Sequence, residues 1–294
     1  MGQVRVQHRL ADEMREQVLA FLDGAPIGSG ARFNDHLLSD LRTPRAGFVA
    51  AIEETEAGVG GYAQASTANE GYLLGCVAGS PERRVALLRQ LLAALPGDVP
   101  VTWWSTDENA PVAAELGLVP DRRLLNMCSP LPVSDATAVV VRPFRPGHDE
   151  AAWLSVNNAA FALHGEQGGW DAATLRQRIS EPWFSTEGFL VHERDGRVAA
   201  FCWTKLHPGP PLIGEIYVIA VHPDFHGLGL GRSLTVAGLA HLYSVGATRA
   251  MLYVAAENTV AVRLYEHLGF TIDHADQSYS RSATRATPLL EEHA

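Results

Sequence analysis

The densest chemistry in the chain lies in GEIYVIAVHPDFHGLGLGR, residues 214–232. From Glu215 to Val221 the run is apolar on both alternating faces apart from the glutamate, the pattern of a central strand covered by helices on each side. A carboxylate in such a run is costly unless it is paired, hydrated or used, so Glu215 is there for a partner or for chemistry. The two readings open at this point are a general base and a structural salt bridge, with Lys205 as the partner. After a short connection, His226-Gly227-Leu228-Gly229-Leu230-Gly231-Arg232 leads into a helical stretch. Three glycines leave the backbone open to a ligand, and the unpaired N–H groups of a first helical turn favour an anion. A pyrophosphate fits.

Competing readings of this turn fit less well. A dinucleotide fold calls for G-x-G-x-x-G directly after its strand, whereas here the glycines alternate and five residues precede them. A Walker loop needs Gly-Lys-Ser or Gly-Lys-Thr, which is absent. The plain alternative is a turn that only joins strand to helix. A second cluster follows at Glu257-Asn258, where Asn258 is a good N-cap for a helix ending at Leu268-Gly269-Phe270. Tyr265 lies two turns along it, where a tyrosine is commonly core filler.

Composition narrows the chemistry. A formal net charge of −10 argues against a nucleic-acid partner. Cys76, Cys128 and Cys202 show no CxxC pair, and the twelve histidines contain no HExxH, so no metal is expected. Cys202 has no base beside it in sequence, which argues against a nucleophilic cysteine there. No run of 18 uncharged apolar residues and no signal-like leader occurs, which implies a cytoplasmic protein without membrane contact. A monomer acting on a small molecule is expected.

These residues must be positioned by elements that occur twice. Each half opens with a β-branched run, Val4-Arg5-Val6 and Val139-Val140-Val141-Arg142, followed by a helix (ADEMREQVLAFLD; DEAAWLSVNNAAF). Hairpin-like strands follow, with Asp195-Gly196 as a turn signal. Then come a strand, a long helix, a strand with Glu-Asn, a helix ending in Leu-Gly, and a last strand. The Pro-containing stretch Ser129–Ala138 reads as the linker. The expectation is an α/β chain of two tandem domains, 1–130 and 139–280, each a mixed, mostly antiparallel twisted sheet flanked by helices. A disordered tail, 281–294, follows.

On these residues the second half resembles the GNAT N-acetyltransferase superfamily, whose signature is a strand, Q/R-x-x-G-x-G/A and a helix; His226 stands where glutamine or arginine is usual. The segments VNNAAFALHGEQGGW, FCWTKLHPG, GEIYVIAVHPDFHGLGLGR and YVAAENTVAVRLYEHLGF are similar, more narrowly, to the members that acetylate the cysteinyl amine of cysteinyl-glucosaminyl-inositol in mycothiol biosynthesis. The resemblance implies acetyl-CoA as co-substrate. Backbone of Ile219, Ala220 and Val221 would pair with its pantetheine arm. The turn His226, Gly227, Leu228, Gly229, Leu230, Gly231 and Arg232 would hold the diphosphate. Asn258, Thr259, Val260, Ala261, Val262 and Arg263 would line the rest. It further implies Glu215 as general base, Tyr265 as general acid towards the thiolate, and an oxyanion contact near Val221. Asp35, Glu166, Lys205, Glu215 and Tyr253 are implied around the acceptor. The rival functions are an acetyltransferase of another small-molecule or peptide N-terminal amine, and a non-catalytic acyl-CoA sensor.

The first half departs from this pattern. Its loop Ala78–Arg84 lacks G-x-G, Tyr72 takes the place of Glu215, and Asn109 to Gly117 spans eight positions against eleven from Asn258 to Gly269. No tyrosine matches Tyr265. A catalytically silent half that braces the acceptor cleft is expected, with one acetyl-CoA site per chain.

Overall fold

The computed structural model describes residues 2–24, 33–68, 71–136, 139–162 and 167–282. The elements run β1 (Gln3–Gln7), α1 (Asp12–Asp23), α2 (Asp35–Arg42), β2 (Val49–Thr55), β3 (Gly58–Ala68), β4 (Gly71–Ala78), α3 (Pro81–Ala93), β5 (Val101–Ser105), α4 (Ala110–Glu115) and β6 (Val119–Pro130). They continue with β7 (Arg142–Pro143), α5 (Glu150–Ala160), α6 (Ala172–Ile179), β8 (Phe189–Arg194), β9 (Arg197–His207), β10 (Ile213–Val221), α7 (Leu230–Ser244), β11 (Arg249–Ala255), α8 (Thr259–His267) and β12 (Thr271–Arg281). No helix among the described residues is long and apolar enough to cross a membrane.

Two compact units emerge, the first from Met1–Arg122 with the chain from Asp276 onward, the second from Arg123–Ala275. Each sheet has the same plan. In the first, neighbouring strands run β1-β2-β3-β4-β5-β12, antiparallel except for β4 beside β5. In the second they run β7-β8-β9-β10-β11-β6, antiparallel except for β10 beside β11. The last strand of each sheet comes from the other half of the sequence: Gln277–Arg281 of β12 pairs with β5, and Leu124–Pro130 of β6 pairs with β11. The expected boundaries 1–130 and 139–280 follow the repeat along the chain; the packing groups residues across it.

Helices cover both faces of the second unit's sheet. On one, α7 and α8 bury Leu234, Leu239, Leu242, Tyr265 and Leu268 against Cys202, Ile216, Leu252 and Val254. On the other, an aromatic core of Trp153, Trp170, Phe189, Phe201 and Trp203 lies under α5 and α6. The Asp195-Gly196 turn has φ of 53° and 73°, the left-handed pair a tight hairpin needs.

Three details differ from the sequence reading. Ser129 and Pro130, assigned to the linker, are the end of β6, opposite Ala250 and Arg249. The strand expected at Val139–Arg142 is reduced to Arg142–Pro143, with Val139 and Val141 packed sideways on the α7-side core and Val140 exposed. Helices α2 and α6 lacked a readable signal because each is only eight residues long. The tail from residue 283 lies outside the described residues.

Candidate active site

Strand β10 changes partner and phase halfway along. It pairs with β11 only from Ile213↔Arg249 to Ile216↔Leu252, although β11 runs on to Ala255. At the same place its register with β9 shifts between Ile216 and Val218. A bulge of this kind moves side chains to the other face. Before it, Gly214 and Ile216 lie against Leu242 and Gly238 of α7; after it, Ile219 and Val221 take that side, while Val218 and Ala220 join the aromatic core. Pairing with β9 continues to Val221↔Ala200. The edge of Tyr217–Val221 that faces away from β9 therefore carries backbone groups with no ladder to β11, which is where an added strand-like arm can dock.

The glycine-rich turn follows through a 3₁₀ turn at Pro223–Phe225. Gly227 and Gly229 have φ of 78° and 71°, and Gly229 is the N-cap of α7 with no side chain capping it. A Cβ built at Gly227, Gly229 or Gly231 meets no protein atom within 4 Å, so the glycines face open space rather than packed neighbours. First-turn N–H groups beside open space form an anion cradle. His226 does not reach into it; its Nε2 donates to the Val221 carbonyl at 3.1 Å and ties the turn to the strand end. Arg197 supports the same turn, bonding Asp224 at 2.7 Å with its guanidinium 5.1 Å from the Phe225 ring centre. Arg232 pairs with Asp135. Leu228 and Leu230 diverge, the first exposed and the second buried in the core.

On the same face, α8 is capped by Asn258, whose Oδ1 accepts from Ala261 N at 3.1 Å. Thr259, Val260, Ala261, Val262 and Arg263 form its first turns, with Val260 exposed and Ala261 and Val262 against the core. Tyr265 is buried beside Phe270, and burial, reinforced by Cys202, raises its phenol well above the ordinary tyrosine value. It stays protonated and able to donate. Burial pushes the Cys202 thiol up to about 12, leaving no thiolate to carry an acyl group.

The opposite face holds the carboxylate. Glu215 is buried, and its register neighbour on β9 is Lys205, yet its hydrogen bond is made diagonally with His207, Nε2 to Oε2 at 2.7 Å. The Lys205 ammonium lies over Trp183 at 4.7 Å and Tyr217 at 5.6 Å. Tyr253, half-buried on β11, is the first residue past the end of the β10–β11 ladder and is out of phase with the buried Leu252 and Val254, hence on the Glu215 side. The second unit thus brings Glu215, Lys205 and Tyr253 together, with Tyr265 and the glycine turn reached across the parting of β10 from β11. Glu166 lies outside the described residues. Asp35 belongs to the first unit, at the start of α2, where Asn34 supplies the cap.

Sequence reasoning missed His207, Trp183, Tyr217 and Arg197. His207 had a signal, two positions after Lys205 and so on the same face of a strand; Trp183 had none.

The first unit repeats the geometry without the cradle. β4 leaves β5 after Leu74↔Trp103, in parallel with β10 and β11. The helix that follows is closed at its N-terminus: Ser80 Oγ accepts from Arg83 N, Pro81 occupies the first turn, and Glu82 places a carboxylate there. Hydrogen bonds from Ser80 and its own backbone hold that carboxyl below its ordinary value, so the turn already carries its anion. Asn109, counterpart of Asn258, does not cap α4; its amide donates to Ser105 at 2.9 Å. Among the described residues no group of three His, Cys, Asp or Glu could hold a metal ion.

Comparison with known proteins agrees with this geometry. The profile of the Acetyltransferase (GNAT) family matches residues 153–270. A mycothiol acetyltransferase of Thermomonospora curvata is 42% identical over 286 residues, covering 92% of this chain and 94% of that protein. One from Thermobispora bispora is 40% identical, covering 95% and 99%. Among solved structures, a tandem GNAT protein from the clavulanic acid biosynthesis pathway superposes with a TM-score of 0.67 at 16% identity, covering 97% of this chain and all of that one. The chain belongs to the mycothiol acetyltransferase family of GNAT acetyltransferases.

Proposed function

We propose that the second unit transfers acetyl from acetyl-CoA to the cysteinyl amine of cysteinyl-glucosaminyl-inositol, forming mycothiol. The observation that carries this reading is the departure of β10 from β11 at Ile216, immediately before an uncapped, glycine-opened helix N-terminus. Backbone of Ile219, Ala220 and Val221 pairs with the pantetheine arm, the amides of 227–232 hold the diphosphate, and the Asn258–Arg263 turns line the remainder. Arg232 exchanges Asp135 for phosphate oxygen.

The acceptor enters from the Glu215 face. Glu215 takes a proton from the ammonium, directly or through water, and the free amine attacks the thioester carbonyl. A backbone N–H near Val221 receives the oxyanion. Collapse breaks the carbon–sulfur bond, Tyr265 gives its proton to the departing thiolate, and the second proton shed by the nitrogen as the amide forms restores the tyrosine through water. Within the second unit, Lys205, Glu166 and Tyr253 bind the acceptor, the carboxylates orienting the ammonium and sugar hydroxyls. The first unit is catalytically silent.

Turnover of acetyl-CoA with cysteinyl-glucosaminyl-inositol against peptide amines tests the acceptor; activity on peptides alone rejects it. Glu215→Gln should lower kcat by roughly 10²–10⁴-fold. Unchanged turnover removes the base, and no turnover in the parent protein with either acceptor leaves an acyl-CoA sensor.

A further inference from the structure

We infer that His207 is the positioning residue for Glu215: it holds one carboxylate oxygen and thereby aims the other at the acceptor amine. The inference rests on the reading of Glu215 as base and adds a residue to it.

The Glu215 side chain is 9% exposed and that of His207 35%, with Nε2 and Oε2 2.7 Å apart. A carboxylate this buried needs a partner, and the partner chosen is not the obvious one. Lys205 is directly opposite Glu215 across the ladder, whereas His207 is opposite Ile213, so its ring reaches back along the sheet to meet the carboxylate. The lysine's ammonium is drawn over Trp183 and Tyr217.

This choice of partner suits a base. A permanent cation bonded to the carboxylate stabilises its charged form and weakens it as a proton acceptor. The imidazole donates one N–H to Oε2, fixes the side-chain torsions, and leaves Oε1 with its lone pairs for the amine or its bridging water. Because, among the described residues, the ring's hydrogen bond is to Oε2, its removal should act through the orientation of Glu215 and leave the cofactor face of the sheet, with Tyr265 and the glycine turn, unaffected. Orientation errors of about 1 Å cost on the order of 10²-fold in rate.

The test is a double-mutant cycle on the full chain with acetyl-CoA and cysteinyl-glucosaminyl-inositol. Glu215→Gln is measured first; if it turns over like the parent, the base assignment falls and this inference with it. Given a slow Glu215→Gln, His207→Leu should lower kcat about ten- to a hundredfold with the KM for acetyl-CoA unchanged. His207→Gln, which keeps an N–H donor, should recover most of the loss. Adding His207→Leu to Glu215→Gln should cost nothing further, because the histidine acts only through the carboxylate. Parent-like kcat in His207→Leu, an equal loss in both backgrounds, or no recovery by His207→Gln while that variant melts like the parent would each overturn the assignment.

Discussion

Gly231 and Gly238 lie seven residues apart on α7 and answer to different constraints. A Cβ at Gly231 meets nothing in the protein, while one at Gly238 would stand 2.5 Å from Cys202 Sγ and 2.8 Å from Ile216 Cδ1. The first glycine is open for a ligand; the second lets the helix sit directly on the sheet. Gly231→Val should therefore leave the melting temperature unchanged and raise the KM for acetyl-CoA at least about tenfold, the cost of roughly 1.4 kcal/mol of lost binding. Gly238→Ala should instead destabilise by about 1–3 kcal/mol in denaturant unfolding. Equal effects on KM from both would remove the distinction. Cys202 belongs to the same contact. With its thiol pushed up to about 12 by burial, the folded protein should resist thiol reagents there, and Cys202→Ala should keep most of its turnover. Rapid labelling of Cys202 with loss of activity would reinstate an acyl-cysteine route.

At the scale of elements, the sequence shows what each strand and helix is, and less of how neighbours meet. The glycine turn, the Asn258 cap and the Asp195-Gly196 hairpin are legible because each depends on local backbone conformation. The bulge at Ile216–Val218 has no such mark: neither glycine nor proline sits there, and only the competition between two covering cores requires the strand to change phase. The diagonal His207–Glu215 contact is hidden for the same reason, since it depends on register. So is the anchor of β7 to α5. Asp149 there is bonded by Arg142 at 2.6 Å and by Arg145 at 3.1 Å. Burial alone would raise its carboxyl, but the two guanidinium groups and the Arg145 N–H outweigh this and bring it down to about 2. A lowered carboxyl stabilises the fold above the ordinary value of 3.8 and loses that contribution as pH falls towards 2. The amount is about 2 kcal/mol. Asp149→Asn should thus destabilise by about that much at neutral pH, with the difference from the parent shrinking as the pH is lowered from 4 to 2. A difference independent of pH would show that the charge is not what holds the contact.

For the whole molecule, duplication supplied two sheets of one plan, and each keeps a parallel pair of strands that part. The units separate at the next step. After β10 the chain presents unfilled N–H groups at glycines; after β4 it presents Ser80, Pro81 and the Glu82 carboxylate. The second arrangement satisfies one donor, deletes another, and sets a negative charge where the diphosphate would sit, so a parting strand without a cradle gives the arm a place and the anion none. Calorimetric titration with acetyl-CoA should accordingly give one site per chain, and Gly231→Val should weaken that single site at least about tenfold. A stoichiometry of two, or a site of parent affinity that survives in Gly231→Val, would mean that pantetheine and adenine contacts alone suffice in the first unit, and that the closed helix end is no barrier to binding.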